Sequence, residues 1–378
     1  MIRVLHLVRH LTLGGYQSLI RDLVPLLARQ PFEPAVCCLT ERGDAADALE
    51  RAGIDVHCIG KRRGPDVVGL SRLAALLSRT KVDILHMHAF SAGLWGRAAG
   101  IIARTPVRIL TVHAEAGWLK PTKHRFFNTL LNPATDKIVA VSEKVRQSLI
   151  EKERTDPDLI SVIPNGVDAE RFRRSERKDE DRAALGLPPG APLIGMVARC
   201  RREKGGECFV EALALLAKEG ISFHAVIVGD GPDRDTWRRL AGERGLDERL
   251  TFAGSRTNVS DWLAVLDVGV VPSYEESFGL TALEMMASSV PVVATRTGGI
   301  PEIADDEENA LLVEPRDPQA LADAIRILLN DTARAGRLAE SGRAHVADRF
   351  TIRSAADSYL DVYRFLAARH PRLAGKCV

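Results

Sequence analysis

The hydrophobic and polar positions of this 378-residue chain fall into two alternating kinds of segment. Short apolar runs rich in β-branched residues are bounded by turn residues, and between them lie stretches with apolar residues at three- and four-residue spacing, such as Leu19, Leu23, Leu26 and Leu27. Strands of this kind, alternating with helices, are typical of a parallel sheet covered on both faces. In the first half we predict strands at Ile2–Val8, Ala35–Leu39, Val56–Ile59, Val82–His86, Arg108–Val112, Lys137–Ser142 and Ile160–Ile163.

The pattern then starts again. A charged and turn-rich stretch, residues 171–190, is the predicted connection between two domains. Further strands are predicted at Leu193–Val197, Ala225–Val228, Leu250–Phe252, Val268–Val271, Val290–Ala294 and Ala310–Val313. The resulting prediction is an α/β protein with two doubly wound domains, residues 1–175 and 176–351. A last helix, within about 352–378, is expected to pack back on the first domain. Such sheets bind ligands beyond the carboxyl ends of their strands.

Composition adds little to this picture, but charge is unevenly distributed. Residues 1–175 carry 26 Lys and Arg against 18 Asp and Glu, a net +8, whereas residues 176–378 carry 26 against 32, a net −6. A basic half suggests an anionic partner, and ordinary variation in surface charge explains the asymmetry equally well. The six cysteines have no C-x-x-C or metal spacing, and no apolar run is long enough to span a bilayer. We therefore expect a cytoplasmic protein with reduced thiols.

The most informative strand end lies in the second domain. The run from Pro272 to Glu284 follows the strand Val268–Val271 and enters a helix near Gly279. Free amides and the positive end of the helix dipole favour a phosphate there. Glu284, about 7–8 Å further along the helix, could accept hydrogen bonds from the ribose hydroxyls of a bound nucleotide. Glu276, before the helix, would face a transferred sugar. Two isolated glutamates would be read as solvated surface carboxylates, but their neighbours favour a binding site.

Two cations and three glycine turns complete this edge. Arg199 lies just after the strand Leu193–Val197, and Lys204 follows five residues later, a pair suited to a diphosphate. Residues 228–232, Val-Gly-Asp-Gly-Pro, form a tight turn at the end of the strand Ala225–Val228. Residues 297–302 form another turn and could let a sugar lie against bare backbone. Residues 254–256, which include Ser255, are expected near the base. No turn here is a P-loop or a dinucleotide fingerprint, and each alone would be an ordinary connector.

Taken in order, these motifs resemble a known family. They are Gly14-Gly15, His86-x-His88, His113, Pro164-Asn165-Gly166-Val167-Asp168, Arg199 with Lys204-Gly205, the 228–232 turn, and Glu276-x7-Glu284. The set is similar to that of the family-4 retaining glycosyltransferases of GT-B fold. The resemblance covers essentially the whole chain and is densest between residues 195 and 315. It implies two Rossmann-like domains that face each other across a cleft, with the nucleotide-sugar donor bound by the C-terminal domain and the acceptor by the N-terminal one.

The resemblance also implies a role for each matched residue. Arg199 and Lys204 grip the donor diphosphate, Glu284 holds the ribose and Glu276 contacts the donor sugar. Amides at Phe278, Gly279 and Leu280 add phosphate and sugar contacts, and Gly14 and Gly15 abut the donor phosphates. His113 faces the donor sugar from the first domain; alternatively, it is a histidine merely satisfied at a strand end. His86 and His88 are expected to pack beneath the site with their ring nitrogens bonded to backbone.

The implied reaction transfers a hexosyl group from a UDP- or GDP-sugar with retention, by same-face attack in which the leaving phosphate accepts the acceptor proton. Catalysis then rests on His113, Glu276, Arg199 and Lys204, with His113 stabilising developing charge and a general-base role less favoured. The family implies neither a metal nor another cofactor, and the two D-x-D pairs, at 156–158 and 233–235, are interpreted as solvated or helix-start carboxylates. One departure from the family pattern is Gln17, where many relatives have glutamate.

The sequence does not identify the acceptor; we expect a sugar or a lipid-linked sugar in bacterial-type envelope polysaccharide or glycolipid synthesis, and no nucleic acid. Residues 118–127 mix aromatics with Lys120, Lys123, His124 and Arg125, which could rest on an anionic membrane at the inner face of the cytoplasmic membrane. An ordinary helix with a buried face explains the segment as well.

Two alternatives stay open: a nucleotide-sugar epimerase of the same fold, and a non-catalytic nucleotide-sugar-binding protein. A dehydrogenase is disfavoured because residues 8–15 lack G-x-G-x-x-G.

Overall fold

The computed structural model describes residues 1–12, 14–113, 121–176 and 178–376, with the backbone alone for residues 121–124. The chain divides into two compact units, Met1–Gly166 with Ile352–Val378, and Val167–Thr351. The sequence places the boundary after residue 175, nine residues later than the structure does. None of the described helices is long and apolar enough to cross a membrane.

The elements follow each other as alternating strands and helices. The first unit begins with β1 (Ile2–Val8), α1 (Gly15–Leu23), β2 (Phe32–Cys38), α2 (Asp44–Arg51), β3 (Asp55–Cys58), α3 (Val67–Arg79), β4 (Ile84–His88), α4 (Ala89–Ile102), β5 (Val107–Val112), α5 (Pro121–Leu131), β6 (Lys137–Ala140), α6 (Glu143–Glu153) and β7 (Ile160–Val162). The second unit comprises α7 (Lys178–Ala184), β8 (Leu193–Val197), α8 (Gly206–Lys218), β9 (His224–Val228), α9 (Arg234–Glu243), β10 (Leu250–Gly254), α10 (Val259–Ala264), β11 (Val268–Val271), α11 (Leu280–Ala287), β12 (Val292–Thr295), α12 (Ile300–Ile303), β13 (Leu311–Val313), α13 (Pro318–Asn330) and α14 (Thr332–Arg349). The last helix is α15 (Ile352–Arg369).

Each unit contains one parallel sheet wound in both directions from its first strand. The strand order is β3-β2-β1-β4-β5-β6-β7 in the first unit and β10-β9-β8-β11-β12-β13 in the second. All residues of β4, β9 and β11 are buried, as expected when helices cover both faces. The predicted pair of Rossmann-like α/β domains is confirmed, and the strand order is that of doubly wound nucleotide-binding folds.

The C-terminal helix α15 belongs to the core of the first unit. Tyr359, Leu360 and Tyr363 are fully buried in a cluster that includes Ile2 of β1 and Phe32 of β2. Two buried tyrosines provide a large apolar area while keeping a hydroxyl group available for hydrogen bonding. The helix therefore places two phenolic oxygens directly beneath the first sheet.

The predicted connection between domains, residues 171–190, is wrong. These residues lie inside the second unit, and residues 178–184 form α7. Lys178 and Arg182 both pair with Asp267, at 2.6 and 2.5 Å, and Arg182 is buried. Some of the charged residues that suggested a solvated linker therefore form ion pairs, and these pairs hold α7 to the start of β11.

Candidate active site

In the second unit the sheet reverses its winding between the neighbouring strands β8 and β11. Ligands of doubly wound folds bind beyond the carboxyl ends of the strands at such a reversal. The segment after β8 and the segment after β11 are joined there, because the amide of Tyr274 donates to the carbonyl oxygen of Glu203 at 2.7 Å. The structure therefore brings together the two segments that carry the predicted cations and glutamates.

Lys204 and Glu276 form the central charged pair of this edge. The Lys204 Nζ lies 2.6 Å from the Glu276 Oε2, which also accepts from the Ser273 hydroxyl at 3.1 Å. Their side chains are only 20% and 14% exposed. The sequence indicated both charged residues but missed their pairing and the part of Ser273. A phosphate that binds Lys204 would compete directly with Glu276.

The helix that follows, α11, begins without a side-chain cap. Its N-cap, Gly279, has φ 105° and ψ 40°, and a Cβ at this position would lie 2.5 Å from the Ile300 Cδ1. Glycine is required here by both backbone conformation and space. Gly279 supplies no side chain to cap the first amides of α11, and Glu284 is half-buried at the fifth position of the helix. The Phe278 side chain is buried and packs edge-on against Phe350 at 6.2 Å between ring centroids.

The glycine loop after β12 has a different role from the one predicted. Gly298 has φ 58°, and a Cβ there would lie 1.5 Å from the carbonyl oxygen of Glu276, which accepts from the amide of Gly299 at 3.0 Å. The bare backbone is therefore occupied by the loop that carries Glu276, and the expectation that a sugar lies against it is wrong. Thr297 strengthens the same contact by donating its hydroxyl to the carbonyl oxygen of Tyr274 at 3.1 Å.

The turn after β9 shapes the loop that carries Arg199. A Cβ at Gly229 would lie 1.9 Å from the carbonyl oxygen of Ala198, and the amide of Cys200 donates to the carbonyl oxygen of Asp230 at 2.9 Å. Arg199 itself is exposed and pairs with no carboxylate among the described residues. Close packing of the two loops thus leaves an unpaired guanidinium at the sheet edge.

Ser255 lies at the same edge, one strand further out. β10 ends at Gly254, whose carbonyl oxygen accepts from the amide of Gly229 at 2.9 Å, and Ser255 and Arg256 follow as exposed residues. A cavity of about 430 Å³ lies elsewhere, lined by Tyr274, Arg316 and residues of α8 and α9. None of the predicted site residues lines this cavity. The candidate site therefore consists of the loops at the strand ends.

The first unit has a corresponding edge, between β1 and β4. Gly14 and Gly15 begin α1, and His113 follows β5 directly. The His113 ring stacks on Tyr16, with ring centroids 5.4 Å apart. Gln17 is buried and folds back towards Gly14, where a Cβ would lie 2.3 Å from its Oε1. Gln17 therefore packs within the glycine loop of its own unit.

Behind His113 lies a cluster of buried histidines and hydroxyl groups. His88 Nδ1 is 3.2 Å from His113 Nε2, and His88 Nε2 is 3.1 Å from His6 Nδ1. His86 contacts the Tyr363 hydroxyl at 2.6 Å and the Thr111 hydroxyl at 2.7 Å. Our prediction for His86 and His88 was right about burial and wrong about their partners, which are side chains instead of backbone.

Burial makes these imidazoles neutral at neutral pH. Desolvation lowers the pKa of His6 to about 3 and that of His113 to about 4, and it holds the pKa of His86 and His88 well below 6.5. His6 was not identified from the sequence. The sequence does show a histidine in the first strand, but its importance follows from the strand register, in which His6 pairs with His86 of β4.

The same cluster contains the one group of described residues with metal-ligand spacing. Nitrogens of His6, His86 and His88 lie within 4.8 Å of one another. Both ring nitrogens of His86 and of His88 already have hydrogen-bond partners, which leaves His6 Nε2 as the unpartnered atom. A hydrogen-bonded network therefore accounts for the cluster. Of the two D-x-D pairs, Asp233 accepts from the amide of Arg202 at 2.7 Å and Asp156 from that of Asp158 at 3.0 Å.

Comparison with known proteins gives two family matches. Residues 13–171 match the family described as Glycosyltransferase Family 4, and residues 177–345 match the family described as Glycosyl transferases group 1. The chain is 36% identical over 249 residues to a D-inositol 3-phosphate glycosyltransferase of Xylanimonas cellulosilytica, covering 63% of this chain and 59% of that protein. It is 35% identical over 214 residues to the lipopolysaccharide core biosynthesis mannosyltransferase LpsB of Rhizobium meliloti, covering 54% and 61%. The chain thus spans less than two thirds of the length of these relatives.

Solved structures are similar over nearly the whole chain. Anabaena HepE in complex with UDP-glucose superposes with a TM-score of 0.85 at 23% identity, covering 96% of this chain and 99% of that one. A glycosyltransferase of Rickettsia africae superposes with a TM-score of 0.82 at 22% identity, covering 97% and 99%. At this identity the likeness concerns the fold. The family matches and the two Rossmann-like domains together confirm the resemblance seen in the sequence: the chain belongs to the family-4 glycosyltransferases of GT-B fold.

Proposed function

We propose that this protein transfers a hexosyl group from a UDP- or GDP-sugar to an acceptor, with retention of configuration and without a metal or other cofactor. One observation carries the proposal. Lys204, Glu276, Arg199 and the uncapped start of α11 converge on the strand reversal of the second unit. This arrangement has the cations and amides that a nucleoside diphosphate needs, together with a carboxylate for a sugar hydroxyl.

The diphosphate would bind between the two cations and the helix start. Arg199 is exposed and offers a planar fork of donors, and Lys204 offers a mobile point charge. Amides at Phe278, Gly279 and Leu280 supply further donors at the positive end of α11. These groups would stabilise the negative charge that the leaving diphosphate gains as the glycosidic bond breaks.

Glu276 would change partners when the donor binds. In the ligand-free site its carboxylate is neutralised by Lys204 at 2.6 Å. Once phosphate oxygens take over Lys204, the Glu276 carboxylate can accept hydrogen bonds from the sugar. Glu284, half-buried further along α11, would accept from the ribose, and Ser255 lies at the edge where the base would rest. This exchange orients the sugar for same-face attack, in which the departing phosphate takes the acceptor proton.

The resemblance also gives Gly14, Gly15 and His113, all in the first unit, a part in the reaction. His113 is neutral because burial lowers its pKa to about 4, so it can donate one hydrogen bond without carrying a charge. We assign it the stabilisation of charge that develops on the sugar. The acceptor class we propose, a sugar or lipid-linked sugar of an envelope polysaccharide or glycolipid, is supported by the name of the Rhizobium relative, a lipopolysaccharide core biosynthesis mannosyltransferase.

A contact with an anionic membrane forms part of this proposal. Lys120 lies outside the described residues, and the side chains of Lys123 and His124 are not described, but α5 is described further along. Phe126 and Leu130, one helical turn apart, are 65% and 64% exposed beside the exposed Arg125. Asn128, on the other face of the helix, is buried. An apolar pair next to a cation suits the boundary between lipid headgroups and acyl chains.

The test combines donor binding and donor turnover. UDP-glucose, UDP-N-acetylglucosamine, UDP-galactose and GDP-mannose are screened for a rise in the melting temperature, and release of UDP or GDP is then measured for the donors that bind. Lys204→Ala and Glu276→Ala should each reduce release by about 10²-fold. Lys218→Ala and Glu248→Ala, at exposed positions of the same unit, are matched controls that should retain full activity.

The alternatives give different results in the same experiment. An epimerase would return an isomerised sugar nucleotide and release little diphosphate. A non-catalytic binding protein would show a thermal shift without turnover. If none of the four donors changes the melting temperature, or if the Lys204 and Glu276 variants behave like their controls, the proposed function is refuted.

A further inference from the structure

Three imidazoles of the first unit form a continuous hydrogen-bonded line. His6 Nδ1 contacts His88 Nε2 at 3.1 Å, and His88 Nδ1 contacts His113 Nε2 at 3.2 Å. The two outer nitrogens, His6 Nε2 and His113 Nδ1, are buried and have no hydrogen-bond partner within the described part of the chain. The line therefore begins inside the unit, at the fully buried His6, and ends at the residue assigned to the sugar.

The line allows only two arrangements of protons when the rings are neutral. Each contact needs one N–H and one lone pair, and a neutral imidazole has one of each. If His6 carries its proton on Nδ1, His88 must accept on Nε2 and carry its own proton on Nδ1. His113 must then accept on Nε2 and carry its proton on Nδ1. The alternative places every proton on Nε2, so in either case the three rings share one tautomer.

The proposed function selects between these two arrangements, because each leaves one buried N–H without a partner among the described residues. With every proton on Nε2, this N–H is that of His6, which is fully buried. With every proton on Nδ1, it is that of His113, which is half-buried as a residue and follows β5 at the strand end. Buried N–H groups without partners are rare in proteins, and only the N–H of His113 would gain an acceptor from the sugar. The Nδ1–H arrangement is therefore favoured.

We propose that His88 is a positioning residue: with His6 behind it, His88 holds the His113 ring in the Nδ1–H tautomer, so that His113 offers a hydrogen-bond donor to the sugar. The choice of the Nδ1–H form and its consequence for rate rest on the proposed function, whereas the sharing of one tautomer by the three rings does not. The low pKa of all three rings agrees with neutral imidazoles. A His113 held in this way has no free lone pair on the ring, which excludes it as a general base in this state.

The arrangement is tested first without any substrate. Long-range ¹H–¹⁵N correlation spectra of the ¹⁵N-labelled full chain at pH 7.5 distinguish the Nδ1–H and Nε2–H tautomers. His6, His88 and His113 should all appear as Nδ1–H. His86 is an internal comparison, because its nitrogens contact the hydroxyl groups of Tyr363 and Thr111 and its tautomer is not tied to the line. Different tautomers among the three rings, or a shared Nε2–H form, would overturn the proposal.

Two substitutions at His88 then separate positioning from packing. In His88→Asn the amide nitrogen replaces Nδ1 and can still donate to His113, while the contact with His6 is lost. In His88→Gln the amide oxygen replaces Nε2 and can still accept from His6, while the contact with His113 is lost. Each variant thus removes one buried hydrogen bond of the same kind, which makes them matched controls for stability.

Only His88→Gln should alter His113. We expect its tautomer signal to change and donor turnover to fall about tenfold, with the melting-temperature shift by the donor unchanged, whereas His88→Asn keeps the His113 signal and most of the turnover. Equal losses in both variants, with the His113 signal unchanged, would show a merely structural role. Failure of the wild-type chain to bind or turn over any donor would instead refute the proposed function and leave the prediction of one shared tautomer intact.

Discussion

The buried histidines predict an unusual sensitivity of the first unit to mild acid. His6, His86 and His88 are fully buried, and desolvation lowers the pKa of each far below the 6.5 expected in the unfolded chain. At pH values between 6.5 and the pKa in the folded chain, which is about 3 for His6, the unfolded chain binds protons that the folded chain does not. Stability is therefore fully present above pH 6.5 and is lost as the pH falls below it.

The size of the loss follows from proton linkage. From pH 7 to pH 5.5, a histidine with an unfolded pKa of 6.5 and a folded pKa near 3, as for His6, reduces the free energy of unfolding by about 1 kcal/mol. His86, His88 and His113, whose pKa values burial also lowers, add losses of the same sign. These losses act on a total of only roughly 5–15 kcal/mol for an ordinary domain.

Hydrogen exchange is a suitable assay because it resolves the two units separately. Slowly exchanging amides of β1 and β4, corrected for the intrinsic exchange rate at each pH, report the free energy of opening of the first unit. We expect this free energy to fall, between pH 7 and pH 5.5, by more than the roughly 1 kcal/mol that His6 alone contributes. Amides of β8 and β11 serve as the comparison, since the second unit contains the partly exposed or singly buried His224 and His345 in place of a cluster.

A His86→Gln variant provides the decisive control. It removes one titrating group and should reduce the pH-dependent loss, whatever it does to stability at pH 7. A first unit whose opening free energy is the same at both pH values would mean that the histidines are hydrated or charged in the folded chain. That result would refute both the burial argument and the neutral state assigned to the line of imidazoles.

Two further predictions concern backbone packing and the exposed face of α5. Gly298→Ala should weaken donor binding and reduce the free energy of unfolding by about 2–4 kcal/mol, because its Cβ would lie 1.5 Å from the carbonyl oxygen of Glu276. The control Gly336→Ala, in open space within α14, should be neutral or stabilising by up to about 1 kcal/mol. Thermal melts of both variants provide the measurement. A neutral Gly298→Ala would contradict the close contact of the two loops. The double variant Phe126→Ser with Leu130→Ser should abolish flotation with anionic liposomes. The control Phe365→Ser, which changes another exposed aromatic residue, in α15, should still float. Equal flotation of all variants would exclude the membrane contact.

The strands could be predicted well because buried strands between turn residues leave a strong local signal. β1, β8 and β11 have the bounds that the sequence predicts. β4 was placed two residues early because its last residues include His86 and His88, which a hydrophobicity pattern treats as polar. The domain boundary was misplaced for a related reason. The charges of residues 171–182 indicated solvent, but Arg182 is buried against Asp267, a residue more than eighty positions away.

The same distinction separates what could and could not be foreseen at the two sites. Arg199, Lys204, Glu276 and the glycine at the start of α11 all lie at strand ends, and strand ends of a parallel sheet meet at one edge. Location alone therefore identified them. The pairing of Lys204 with Glu276, and the filling of the Gly298 surface by the carbonyl oxygen of Glu276, depend on loop conformations that no local pattern encodes.

The line of imidazoles required one more piece of information, the register between strands. His6 lies opposite His86 in the pairing of β1 with β4, and His88 is two residues on, which places it on the same face of the sheet as His86. A shift of one residue would have moved the His86 and His88 side chains to the opposite face and separated them from His6. Register is set by the packing of whole strands. The hydrogen-bonded line of imidazoles that ends at His113 therefore depends on the sheet as a whole. The family motif identifies His113, and the sheet determines which proton His113 carries.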